Sequence, residues 1–324
     1  MIRVPKPAYC FNRRIPAKTH QKTTEPSEWF LAHLGSDFYT LNFDFFVYWS
    51  AKNFLSNEFW IKRVVVKQEF TGIYGYWPCT DIVLLQEALE ACEGKKNLVN
   101  YGKFAASLGF KAKYQIFVDS GKWDTYPAKF ITVEIDVNGK VASAIKQTLP
   151  DIKCEIQRLS GGPVKVTKTY QLKVAATNLE CYLSNKDIEA AAWPGDVDLL
   201  VFDSSEKPIA ILEFKKNTVE PGKEFHRSIH DESLYNYYSA TGRADDNRKY
   251  NRIAILRDHL NENIPIINIY YPTWESKNST ENIIKLEKVV GNVGKLKVDK
   301  VVKLPVPYTA GDKANVVKIV LDML

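Results

Sequence analysis

The chain has 324 residues, 45% of them hydrophobic and 25% charged, with a formal net charge of +6. This composition can fill a large core, and it excludes a disordered chain, a collagen-like rod and a disulfide miniprotein. No apolar run reaches the roughly 18 residues of a membrane helix, so no membrane span or membrane partner is expected.

Residues 1–24 carry Arg3, Lys6, Arg13, Arg14, Lys18 and Lys22 and no acid, which leaves the rest of the chain balanced in charge. Pro5, Pro7 and Pro16 would break the amphipathic helix of a transit peptide. The segment reads as a basic arm, with phosphate contact and plain solvation as equal alternatives. The five cysteines show no CxxC pair, which predicts reduced thiols and a cytoplasmic protein.

Residues 25–163 read as an α+β domain. Aromatic residues crowd its start, from Trp29 and Phe30 through Phe43, Phe45, Phe46, Tyr48 and Trp49 to Tyr76 and Trp77. A buried core explains them better than a base-stacking surface does. Leu84, Leu85, Ala88 and Leu89 predict a helix over 82–92, ended by Gly94-Lys95-Lys96. Strands follow at 114–118, 130–137 and 141–148, the last two joined by the turn Asn138-Gly139. Pro150 and Ser160-Gly161-Gly162-Pro163 read as punctuation before a domain boundary. The size of this region suggests substrate selection or regulation.

Residues 164–324 predict a helix (167–183), two strands (197–203 and 209–215), a helix (233–238, resuming at 245–260) and a strand (264–271). A Lys-rich strand region (283–304) and a terminal helix (310–324) complete them. This order implies an α/β fold with a mixed central β-sheet flanked by helices.

The chemistry gathers in Gly195-Asp196-Val197-Asp198, in Glu213-Phe214-Lys215 and in the loop Ser204-Ser205-Glu206-Lys207 between their strands. If Asp203 faces Pro208, Asp198 lies opposite Glu213 and Asp196 opposite Lys215. Directly opposed carboxylates, with Cβ atoms about 5 Å apart, destabilise a sheet unless a cation joins them. Two carboxylates with water and phosphate oxygens suit Mg²⁺, with Mn²⁺ as its substitute, whereas Zn²⁺ would want His or Cys. Lys215 shares the face of Glu213, about 6.6 Å along the strand. Leu200, Phe202, Ile209 and Ile211 are expected on one side of the hairpin, and Leu199, Val201, Ala210, Leu212 and Phe214 on the other.

With Pro194-Gly195-Asp196-Val197-Asp198 as first motif and Glu213-Phe214-Lys215 as ExK, the sequence resembles the PD-(D/E)XK nuclease superfamily over roughly residues 167–272. The resemblance implies a restriction endonuclease-like core with a separate N-terminal α+β domain. It implies a Mg²⁺-dependent endonuclease acting on nucleic acid, DNA before RNA. Asp198 and Glu213 would hold the metal, and Lys215 would orient or deprotonate the attacking water. Asp196 remains an alternative to Asp198. A further acid on the preceding helix would be Glu180, with Glu189 as competitor. Lys216, Lys249 and Arg252 are candidate nucleic-acid contacts, Lys249 and Arg252 sharing a helix face. A homodimer is open on the same grounds. The rival reading is a nucleic-acid-binding module with a catalytically silent core.

Overall fold

The computed structural model describes residues 2–5, 26–48, 54–66, 77–118, 129–162, 179, 194–217, 227–239, 247–261, 263–273 and 281–324. The chain divides into two compact units. One comprises Met1–Arg13 and Phe43–Gly195, and the other Arg14–Asn42 and Asp196–Leu324. Each is a mixed sheet with helices packed on it. Among the described residues no helix is long and apolar enough to cross a membrane.

The first unit contains β1 (Ile2–Arg3), to which α1 (Pro26–His33) of the second unit is next in sequence, and then the greater part of β2 (Tyr39–Tyr48). There follow β3 (Phe54–Val65), α2 (Ile82–Glu93), α3 (Lys95–Ser107), β4 (Lys111–Val118), β5 (Lys129–Ile135), β6 (Val141–Thr148) and α4 (Leu149–Ser160). The strand order is β2-β3-β4-β5-β6. β3 and β4 are parallel, and α2 and α3 form the crossover that a parallel pair requires. The start of the basic segment is not a solvated tail, because Ile2 and Arg3 pair with Val65 and Val64 of β3.

Asp81 caps α2 by accepting hydrogen bonds from the Val83 and Leu84 amides at 2.9 and 3.1 Å. Gly94, at φ 80°, ends it. The expected terminator Gly94-Lys95-Lys96 is also the start of a second helix, α3, whose Tyr101 donates to the Phe59 carbonyl at 2.7 Å. The expected punctuation at Pro150 is likewise a helix start. Thr148 and Asp151 form a reciprocal capping box with Pro150 in the first turn, and α4 follows. It lays Ile152, Ile156 and Leu159 against Phe46, Trp60, Phe117 and Phe130. The dense aromatics Phe43, Phe45, Phe46, Phe59 and Trp60 are all buried, as core.

The second unit holds α1, β7 (Gly195–Phe202) from Asp196 on, β8 (Pro208–Asn217), α5 (Asn247–Leu260), β9 (Ile266–Pro272), β10 (Ile283–Val290), β11 (Lys297–Pro305) and α6 (Ala310–Leu321). Its strands run β7-β8-β9-β10-β11, with only β8 and β9 parallel. Where a helix was expected over 233–238, two short 3-10 turns stand instead, Ile229–Asp231 and Leu234–Asn236. Of the expected helix 167–183, only Leu179 lies among the described residues.

The two faces of this sheet differ in chemistry. On one, Leu199, Val201, Ala210, Leu212, Ile267 and Ile269 pack under Trp29 and Phe30 of α1 and Val316, Val317 and Val320 of α6. The other face begins with an apolar row, Leu200, Ile211, Ile266 and Val289, and then turns polar: Glu213, Asn268 and Glu287 stand in one row across β8, β9 and β10, and Lys215, Tyr270 and Lys285 in the next. Glu213, Asn268, Tyr270 and Glu287 are nonetheless buried. A polar face this deeply covered must satisfy its own groups, which makes any exception informative.

Candidate functional site

The site stands on the β7–β8 hairpin. Leu199 pairs with Leu212, Leu200 with Ile211 and Val201 with Ala210. Continued one step outward, this register sets Asp198 opposite Glu213, as the numbering predicts. The loop end differs from expectation. Asp203 does not face Pro208; the register shifts after Val201, so that Phe202 pairs with Pro208 and Ile209 is the extra residue of a bulge. Ile209 consequently packs with Leu212 and Phe214 in the apolar core rather than with Ile211. Asp203 instead closes the loop, its Oδ1 accepting from the Ser205 and Lys207 amides at 2.8 and 3.0 Å. The bulge lies beyond the paired residues and leaves the carboxylate register intact.

Asp198 is half-buried, and its Oδ2 accepts a hydrogen bond from the Phe214 amide at 2.7 Å. This ties the carboxylate to the backbone beside Glu213. Burial raises Asp198 above the usual carboxylate range, against the opposing pull of Lys249. Glu213 has no solvent exposure, and among the described residues neither of its oxygens accepts a hydrogen bond. Burial, followed by the Asp198 charge, pushes it up to about 8.

Lys249, from α5, is the cation that reaches this pair. Its Nζ lies 2.8 Å from Glu213 Oε2 and 3.3 Å from Asp196 Oδ2. Only the contact with Asp196 has hydrogen-bond alignment; the shorter one with Glu213 is an ion contact. Burial disfavours the Lys249 ammonium, but Asp196, Glu213 and Asp198 together outweigh it and hold the group well above its ordinary value. Arg252, on the same helix, is pulled down to about 10 by burial and by Arg248, and stays charged at neutral pH.

Lys215 projects from β8 beside these groups. Its Nζ sits 5.0 Å from the ring centroid of Tyr237 and 5.2 Å from that of Tyr250. Lys216 is exposed on the neighbouring position. The structure thus brings Asp196, Asp198, Glu213, Lys215 and Lys249 together. Glu180 and Glu189 lie outside the described residues. Sequence reasoning placed Lys249 toward phosphate and did not foresee its contact with Glu213. It also gave Tyr237 and Tyr250 no role.

Among the described residues no group of three or more His, Cys, Asp and Glu is arranged to hold a metal ion. Two opposed carboxylates are nevertheless enough protein ligands for Mg²⁺, which keeps several waters. The facing, buried carboxylates of Asp198 and Glu213, with Asp196 beside them, outnumber the Lys249 ammonium that touches Glu213, and a further cation fits there. No family model, curated protein or solved structure matches the chain.

Proposed function

We propose that the chain is a Mg²⁺-dependent phosphodiesterase acting on nucleic acid, a DNA endonuclease of PD-(D/E)XK type with its restriction endonuclease-like core in the second unit. The observation that carries this reading is the facing of Asp198 and Glu213 across the hairpin, with Glu213 fully buried. Asp198 and Glu213 would hold the metal, with Asp196 at the rim. A bound Mg²⁺, or Mn²⁺ in its place, supplies charge for phosphate oxygens and acidity for an attacking water. The Lys215 ammonium, two residues beyond Glu213, orients that water and offsets charge developing on the phosphorane. Lys216 and Arg252 supply positive charge for the phosphodiester backbone.

The second reading, a nucleic-acid-binding module with a silent core, is favoured by one contact. Lys249 already sets a cation against Glu213 and Asp196, so the acids are compensated without a metal.

Supercoiled plasmid, linear duplex, single-stranded DNA and RNA, each incubated with Mg²⁺, Mn²⁺ or EDTA, separate the two readings. The nuclease reading expects metal-dependent cleavage that Glu213→Ala abolishes while nucleic-acid binding persists. Cleavage undiminished in Glu213→Ala would overturn the site. Binding without cleavage under every condition would favour the silent module.

A further inference from the structure

The second unit contains two chains of hydrogen bonds, each ending at one of the two rings over Lys215. Tyr250 donates to Asn268 Oδ1 at 3.1 Å, and Asn268 donates to the Tyr270 hydroxyl at 3.3 Å. Tyr270 in turn donates to Glu287 Oε2 at 3.1 Å. On the other side, Tyr237 donates to Glu232 Oε2 at 2.8 Å, and Glu232 Oε1 accepts from Asn217 Nδ2 at 3.1 Å. Asn217 lies on β8 two residues beyond Lys215, so one tie returns to the strand that carries the lysine.

Core packing alone does not call for this arrangement. Phenylalanine would fill the same volume, and what a satisfied buried polar network adds over an apolar core is a fixed arrangement of its members rather than stability. Both hydroxyls are anchored at the far ends of rings whose faces meet a single ammonium. A cation within about 6 Å of a ring centroid is attracted by the ring quadrupole. Two such rings also restrict a side chain that would otherwise sample many rotamers.

We propose that Tyr237 and Tyr250 are positioning residues: an aromatic seat that holds the Lys215 ammonium beside Glu213, with Glu232 and Asn268 fixing the angle of each ring. The inference rests on the nuclease reading for the use of Lys215, but the seat itself is a property of the folded protein. Its chemistry is ring faces toward the cation and hydroxyls toward the scaffold. Tyr→Phe at either position keeps the quadrupole and loses only the anchor, whereas Tyr→Leu removes the seat.

The test has two arms on the full chain. In the first, NMR of the lysine ε-methylene groups should show a signal displaced upfield by ring currents that is absent from Lys215→Met and returned to the ordinary position in Tyr237→Leu/Tyr250→Leu; the Lys285 signal, over Tyr270, serves as the internal reference. A wild-type spectrum with no such signal overturns the seat, whether or not the double variant folds. In the second, on whichever substrate the wild type cleaves, each single Leu variant should lower kcat about tenfold with KM little changed, and each Phe variant should recover most of that loss. Folded Leu variants with full kcat overturn the positioning role. A displaced Lys215 signal in a wild type that cleaves nothing supports the seat and overturns the nuclease reading instead.

Discussion

Lys249 Nζ lies 2.8 Å from Glu213 Oε2, in a contact that joins α5 to β8 where the carboxylate has no other partner among the described residues. An ion pair of this kind contributes little relative to an apolar pair of the same shape, yet breaking it from one side leaves a buried charge uncompensated.

Lys249→Met should therefore destabilise the protein by about 3 kcal/mol in EDTA at about pH 9, above the folded value of about 8 at which Glu213 ionises. Adding Glu213→Gln to that variant should restore most of the loss, because no charge is then left unmatched. Denaturant melts of the two single variants and the double variant form the cycle that checks it. Simple additivity would show that the two side chains do not interact.

Glu213 also makes stability depend on pH. Its folded value of about 8 stands above the ~4.3 of an unfolded chain. Between those values the folded protein retains a proton that the unfolded chain has lost. Stability from this group is thus full below pH ~4.3, falls as pH rises toward ~8, and is level beyond it, with a slope of at most ~1.4 kcal/mol per pH unit. Asp198, raised as well, contributes in the same direction. Melts in EDTA from about pH 5 to 8 should show the decline in the wild type and a shallower one in Glu213→Gln. Equal slopes would remove Glu213 as its source.

Glu206 sits in the hairpin loop at φ 61°, the left-handed region that an L side chain adopts at a cost. Glu206→Gly should stabilise the protein by about 0.5 kcal/mol, the relief of backbone strain being partly offset by the freer unfolded chain. Thermal unfolding detects the shift. A marked destabilisation would mean that the Glu206 side chain matters more than its backbone.

The hairpin was legible because antiparallel pairing reduces to arithmetic: once the loop was placed, Leu199, Leu200 and Val201 had determined partners, and Asp198 came opposite Glu213 with them. The bulge at Ile209 was not legible, since one extra residue leaves no compositional trace at so short a loop. The start of α4 was visible in Thr148, Pro150 and Asp151, but Pro150 was read as a breaker rather than as a first-turn residue. α3 was hidden by Gly94, whose positive φ serves two consecutive helices at once. Lys249 was placed on the right helix, but its contact with Glu213 was not foreseen. That contact is decided by carboxylates of the β7–β8 hairpin, more than thirty residues away in sequence, and no local pattern encodes it. The pairing of Lys215 with two tyrosine rings is tertiary for the same reason.

Trp29 and Phe30 of α1 close the same apolar layer as Val316, Val317 and Val320 of α6. During synthesis the first of these surfaces leaves the ribosome long before the second exists. The β7–β8 hairpin, translated in between, cannot bury its apolar face fully until α6 has followed. Biogenesis of the candidate site is thereby coupled to late translation, and the nascent chain carries an uncovered greasy surface for most of that interval. Fragments lacking either helix should be the ones that chaperones retain.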